Sequence, residues 1–231
     1  MNIRYVLRVL GYFAWATVPL MLPSLGVAFF YREGNAAVAL ILAMVVCGFT
    51  GAALLRIGRS ASSRFYQRET LTIVGLAWIL VAGLGALPFI FVGALNPVDA
   101  YFESMSGFTT TGSSVFGESH FLNTPRGIMF WRAFTHWVGG MGIIVLFLAV
   151  LPYMGVGGKQ LFKSESPGPD PRELTPRIRD TATILYTIYL GFTILETILL
   201  RAAGMNLYEA LCHTFATLAT GGFSTRFNSV G

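Results

Sequence analysis

Two short stretches of this sequence place threonine and glycine at the end of a short amphipathic segment, a pattern able to bind a bare cation. The first includes Thr109-Thr110-Thr111-Gly112, and the second includes Thr220-Gly221-Gly222. A Thr-Gly turn after a short helix presents a row of backbone carbonyl oxygens, which can replace the water around a dehydrated cation. Glycine is required because consecutive carbonyls can point inward only if some residues adopt backbone angles closed to side-chain-bearing residues. Both turns are therefore candidate cation sites.

The two stretches are copies of each other. Residues 99–112 align with residues 209–222 without a gap, and Ser104, Phe108 and Gly112 lie over Thr214, Leu218 and Gly222. A serine- and threonine-rich loop between membrane spans is ordinarily a solvated connector. Two gap-free copies that each follow an apolar run instead favour re-entrant pore loops, because irregular backbone at membrane depth persists only where protein or a water-filled path surrounds it.

The composition is that of a membrane protein. Hydrophobic residues make up 54% of the chain and charged residues 12%, whereas a soluble domain usually carries about 25% charged residues. The net charge of +5 does not indicate nucleic-acid binding, because the basic residues lie in the gaps between apolar runs. Membrane lipid is thus a predicted partner of the chain, and nucleic acid is not.

Apolar runs predict an all-α polytopic fold. A membrane-spanning helix needs about 20 apolar residues, and such runs occupy residues 9–31, 36–55, 70–95, 128–153 and 181–200. The first run is too long for the apolar part of a signal peptide, so we interpret the first two runs as a transmembrane hairpin. Residues 98–108 and 206–217 are too short to cross and should dip into the membrane as pore helices that end at the two turns.

The basic residues predict the orientation. With the N-terminus in the cytoplasm, Arg4, Arg8, the arginines of the loop 56–68 and the basic residues of the connector 155–180 all lie inside, giving eleven of the sixteen Lys and Arg residues. This distribution agrees with the positive-inside rule. It places both Thr-Gly turns on the outer side.

Four segments together resemble a known family, and the resemblance covers essentially the whole chain. They are residues 106–112, 136–142, 161–169 and 215–225. They are similar to the TrkH branch of the Trk/Ktr/HKT superfamily of potassium transporters. The resemblance implies potassium as the transported ion with no cofactor in this chain, four helix-pore-helix repeats around one ion path, a homodimer in the bacterial inner membrane, and a cytosolic nucleotide-binding regulatory partner of the TrkA type.

The resemblance also implies the filter residues and the domains. Thr110, Thr111, Gly112 and Ser113 would form the first filter segment, and Thr220, Gly221, Gly222 and Phe223 the second. Potassium would be held by the backbone carbonyls of Thr110, Thr111, Gly112, Thr220, Gly221 and Gly222. The expected units are a leading hairpin and cytoplasmic loop (1–68), a first repeat (69–155), a cytoplasmic connector (156–180) and a second repeat (181–231) that stops after its filter segment. The chain is therefore expected to be the N-terminal half of a transporter.

Two other classes of function stay open at this point. One is a membrane-embedded enzyme that uses Glu103, His136 and His213 as acid-base groups, and the other is a non-conducting structural or regulatory membrane subunit. The histidines lack metal-ligand spacing. We expect Glu103 to anchor the pore loop, and Arg132 to extend to the outer interface. We expect His136 and His213 to hydrogen-bond within helix packing. We also expect Gly139–Gly142 to serve close packing.

Overall fold

The computed structural model describes residues 2–59, 67–150 and 171–228. Within these ranges the regular structure consists of α-helices, and the predicted all-α class is confirmed. The helices are α1 (Ile3–Phe30), α2 (Gly34–Ile57), α3 (Gln67–Phe91), α4 (Pro97–Phe108), α5 (Glu118–Asn123), α6 (Arg126–Val150), α7 (Pro171–Ala202) and α8 (Leu207–Leu218).

Some predictions concern residues outside the described ranges. They include part of the first cytoplasmic loop (60–66), the predicted end of the fourth span (151–153) and most of the connector (156–170), with the motif at residues 161–169. Helix α7 begins at Pro171, ten residues before the predicted fifth span, whereas its strongly apolar part is Asp180–Ala202.

Four of the described helices are long and apolar enough to cross a membrane: α1, α2, Leu71–Phe91 of α3 and Asp180–Ala202 of α7. They match four of the five predicted spans, and α6 lies where the remaining span was predicted. Helix α1 continues through Pro19 and Pro23, as expected for prolines that bend a membrane helix without ending it.

The surfaces of these helices are apolar. Large side chains such as Phe30 and Phe49 are 81% and 77% exposed, and α7 exposes Ile184, Phe192 and Leu199. Apolar surface of this extent is unfavourable in water but is the normal outer surface of a helix surrounded by lipid. The chain is a membrane protein.

Helix α6 lies at the centre of the packing. It contacts both predicted pore helices, α4 and α8, while α4 also packs on α3, and α8 also packs on α7. Its side of the core is aromatic: Trp131 lies edge to face against Phe108 of α4, and Phe134 lies against Phe215 of α8. The indole of Trp131 also donates a hydrogen bond of 2.9 Å to the carbonyl oxygen of Gly85 on α3. One helix thus holds the two predicted pore helices in fixed positions.

Candidate ion-filter site

The two short helices begin in the same way. Asn96 caps α4, where its side-chain oxygen accepts hydrogen bonds of 3.0 Å from the backbone N–H groups of Val98 and Asp99. Asn206 caps α8 and accepts one of 2.9 Å from Glu209. Each cap satisfies helix N–H groups that would otherwise lack a partner. The predicted pore helices are confirmed as helices to within one residue at each end.

Both helices end in turns with the same backbone conformation. Thr110 and Thr220 adopt φ values of 55° and 56°, and Gly112 and Gly222 adopt 75° and 91°. A threonine in the left-handed region is rare, because its branched side chain crowds the backbone there. Because this rare conformation occurs at the same position of both copies, the surrounding contacts must stabilise the same turn in each.

The hydrogen bonds of the two turns match as well. The carbonyl oxygen of Ser106 accepts from the N–H groups of Thr111 and Gly112, at 3.0 and 3.5 Å. The carbonyl oxygen of Ala216 accepts from Gly221 and Gly222, at 2.9 and 3.4 Å. Both patterns fold the chain back from the C-terminus of the short helix. The repeat read in the sequence is thus also a repeat in backbone geometry.

The two turns lie against each other. A Cβ atom added to Gly112 would overlap the carbonyl oxygen of Gly221. A side chain at position 112 is therefore disfavoured both by the positive φ and by this close approach. The candidate residues of the first turn are thereby brought together with those of the second, although more than a hundred residues separate them in the sequence.

Small residues allow α4 to approach α6 closely. A Cβ atom on Gly139 would overlap the carbonyl oxygen of Phe108, the last residue of α4, and one on Gly107 would overlap the hydroxyl of Thr135. Gly140 lies against Ala219 and the hydroxyl of Tyr189. The predicted packing role is confirmed for Gly139 and Gly140, which hold α6 against the ends of both pore helices.

Glu103 anchors the segment that follows the first turn, as predicted. It is fully buried on α4. Its carboxylate accepts hydrogen bonds from the Ser114 hydroxyl at 2.8 Å and from the Val115 N–H at 3.0 Å, and it also binds Arg132 at 2.6 Å. Both oxygens of this carboxylate accept hydrogen bonds from protein groups, which argues against an acid-base role for Glu103.

The prediction that Arg132 extends to the outer interface is wrong. Its side chain is 2% exposed and pairs with Glu103. Position 132 looked peripheral because it lies near the start of α6, but that turn of α6 faces α4 and the two filter segments. Burial of the guanidinium is tolerable because Glu103 neutralises its charge.

His136 lies behind the second turn. Its ring stacks on Phe223 with centroids 4.0 Å apart, and a Cβ atom on Gly221 would collide with the imidazole. The backbone of Ser106 is nearby, but neither ring nitrogen makes a hydrogen bond of good geometry. The expectation that His136 serves hydrogen bonding is therefore wrong. The ring instead fills the space that the missing side chain of Gly221 leaves.

Two further contacts were not anticipated. Arg226, which follows the second turn, binds Glu209 through Nε at 2.8 Å and Nη2 at 2.6 Å. The Thr109 hydroxyl donates to the carbonyl of Met105 at 2.7 Å and lies 2.8 Å from the Thr111 hydroxyl. Neither partner was evident, although the spacing of four residues between Met105 and Thr109 on a helix was a usable signal.

Among the described residues, no cluster of His, Cys, Asp and Glu is placed to hold a metal ion.

Comparison with known proteins gives the same assignment from sequence and from structure. The family model described as "TrkH: Cation transport protein" matches residues 37–231. The chain is 39% identical to the Trk system potassium uptake protein TrkH of Halomonas elongata, and 40% identical to that of Escherichia coli K12. In both cases the match covers 100% of this chain and 48% of the relative.

A solved structure matches as well. The crystal structure of the potassium transporter TrkH from Vibrio parahaemolyticus superposes with a TM-score of 0.83 at 36% sequence identity, covering 98% of this chain and 45% of that one. The chain thus spans about half the length of the curated relatives it matches. The family model matches far more than half of the chain, and the predicted resemblance is confirmed: the chain belongs to the TrkH family of cation transport proteins.

Proposed function

We propose that this chain contributes two filter segments to a potassium uptake protein. The observation that carries the proposal is the pair of turns with one backbone conformation, in contact at Gly112 and Gly221. The ligands would be backbone carbonyl oxygens, and Ser113 and Phe223 would complete the two segments. The carbonyls belong to Thr110, Thr111, Gly112, Thr220, Gly221 and Gly222.

The mechanism follows from where the two pore helices end. Helices α4 and α8 both end at the turns, at Phe108 and Leu218. The C-terminus of a helix carries partial negative charge, which favours a cation in the adjacent space. Carbonyl oxygens then replace the hydration shell, and discrimination between potassium and sodium follows from their number and field. With one glycine turn per segment, we expect weaker discrimination than in dedicated potassium channels.

A closed ring of carbonyls needs more than two segments. Because the chain spans about half the length of its relatives, we propose that further filter segments complete the path in the assembled transporter. The proposed units of this half are a hairpin and loop (1–68), a first repeat (69–155), a connector (156–180) and a second repeat (181–231).

The proposed setting is the bacterial inner membrane, with a cytoplasmic N-terminus, as a homodimer that works with a cytosolic nucleotide-binding subunit of the TrkA type. The basic residues between the apolar helices support this orientation. The relatives are named as proteins of a Trk system, which supports an assembly of several components. Transport is favoured over enzymatic activity because Glu103, one of the three candidate acid-base groups, is bonded to Ser114, Val115 and Arg132.

The test is ion uptake by a chimera in which this chain replaces the matching part of the Vibrio parahaemolyticus transporter, expressed in bacteria deficient in potassium uptake. The variant is Gly112→Ser. The control is Gly93→Ser, because Gly93 has nearly the same positive φ, 76° against 75°, but a Cβ atom added there would meet no atom within 4 Å, and Gly93 lies outside both turns. Both substitutions place a side chain at the same positive φ, and only Gly112→Ser also brings it against the neighbouring turn.

We expect the chimera to restore growth at low potassium. Gly112→Ser should lower the ratio of potassium to sodium uptake, and Gly93→Ser should leave it unchanged. An unchanged ratio in Gly112→Ser, at equal protein in the membrane, would contradict the filter assignment. Failure of the parent chimera to transport any ion, although it inserts into the membrane, would favour a non-conducting subunit.

A further inference from the structure

Arg132 lies behind the two turns and contacts the segment that follows each of them. Its Nη2 donates to the hydroxyl of Ser114, which comes directly after the first filter segment, at 2.9 Å. Its Nη1 donates to the carbonyl of Ser224, which comes directly after the second, also at 2.9 Å. The guanidinium therefore bridges two segments that belong to different repeats.

The same guanidinium packs against aromatic rings from both segments. Its central carbon lies 3.7 Å from the ring centroid of Phe223 and 4.8 Å from that of Phe116. A planar guanidinium can stack on aromatic rings and donate several hydrogen bonds at fixed angles at the same time. Each of these contacts restricts how far one segment can move relative to the other.

Glu103 allows a positive charge to occupy this position. An unpaired guanidinium beside a cation path would repel the transported ion, and burying it would also be costly. The Glu103 carboxylate binds Nε at 2.6 Å, so the pair is close to neutral as a whole. The other two nitrogen atoms of the guanidinium, Nη1 and Nη2, bind Ser224 and Ser114, the residues that directly follow the filter segments.

We propose that Arg132 is a positioning residue that fixes the two filter segments relative to each other and thereby sets the ion selectivity of the filter. The proposal rests on the function proposed above. It assigns selectivity to a residue of α6 that supplies no ion ligand. It also explains why the guanidinium is buried at the junction of two repeats, where a smaller apolar side chain would pack without an ion pair.

The decisive variant is Arg132→Lys in the chimera. Lysine keeps the charge and the pairing with Glu103, but a single ammonium cannot reach Ser114 and Ser224 with the geometry of a guanidinium. We expect the ratio of potassium to sodium uptake to fall about tenfold, since two hydrogen bonds are lost and each carries an effect of roughly threefold. Total cation uptake and the amount of protein in the membrane should change little.

The matched control is Arg126→Lys. Arg126 lies on the first turn of the same helix, stacks on Tyr31 at 4.5 Å and is exposed. Its substitution should leave the uptake ratio unchanged. A purely structural role of Arg132 would lower the protein level and the total uptake together, without a change in the ratio.

A second variant covers the case in which Arg132→Lys does not fold. Ser114→Ala removes the bond from Nη2, together with the contacts of the same hydroxyl to Glu103 and to the Phe116 N–H, and it keeps the Arg132–Glu103 pair. Because only one of the two Arg132 bonds to the filter-flanking serines is lost, we expect a smaller fall of about threefold. A parental uptake ratio in Ser114→Ala, or in an Arg132→Lys variant that transports, would overturn the positioning role. Absence of transport by the parent chimera would instead overturn the proposed function.

Discussion

The two filter turns share one backbone but are supported in different ways. In the first, Thr111 carries a hydroxyl that lies 2.8 Å from that of Thr109, so the turn is braced by its own side chains. In the second, the matching residue is Gly221, and the His136 ring of α6 occupies the space beside it. Beyond the backbone hydrogen bonds that both turns share, the first turn is thus supported by its own side chains and the second by a side chain of α6.

The pore helices differ in the same manner. Glu103 of α4 is buried and binds Ser114, Val115 and Arg132. The position that matches it on α8 is His213, which is only partly buried. Both repeats therefore preserve the backbone conformation of the turn, whereas the residues behind it are specific to each repeat. Substitutions at matching positions should therefore have unequal effects.

The largest difference in the loss of unfolding free energy is expected between Glu103→Gln and His213→Gln. The first leaves the buried Arg132 without its counter-charge, which costs about 3 to 5 kcal/mol for a broken buried pair. The second removes a partly exposed ring and should cost less than about 1 kcal/mol. Thermal unfolding of the purified chain in detergent measures both. Equal losses would contradict the claim that the two helices are anchored differently.

A smaller difference in the loss of unfolding free energy is expected between alanine substitutions at the matching positions 111 and 221. Gly221→Ala forces a methyl group into the His136 ring, and overpacking of this kind costs about 1 to 3 kcal/mol. Thr111→Ala loses one exposed hydroxyl contact and should cost at most about 1 kcal/mol. The unfolding free energies of the two variants give this comparison directly.

The double variant His136→Ala with Gly221→Ala serves as the control for this pair. Removing the imidazole makes room for the new methyl group, so adding Gly221→Ala to His136→Ala should cost less than adding it to the parent. If the two substitutions simply add, His136 does not brace the second turn.

Much of the fold was predictable because its signals are local. Apolar runs gave four of the spans, and the gap-free repeat gave the positions of α4 and α8. The anchoring by Glu103 was also predictable, since a buried carboxylate beside a loop needs hydrogen-bond donors. The short helix α5 was missed, because its six residues bear no apolar periodicity that would mark a helix.

The support behind the filter could not be predicted, because it depends on contacts between distant parts of the chain. Arg132 and Ser224 are 92 residues apart in the sequence, and nothing in the neighbourhood of either residue indicates the other. Arg226, which follows α8, pairs with Glu209 at the opposite end of that helix, and nothing in the sequence around Arg226 indicates this acid. Such pairs follow from how α4, α6 and α8 pack together, which a local pattern does not encode.

The central claim is that the backbone carbonyls of both turns face one ion path. The most direct measurement is anomalous diffraction from crystals of the assembled transporter containing this chain, grown in rubidium as a substitute for potassium. We expect a rubidium peak in inner-sphere contact with carbonyl oxygens from both Thr110–Gly112 and Thr220–Gly222. A peak bound by side chains elsewhere, or carbonyls of the two turns directed away from a common ion, would contradict the account.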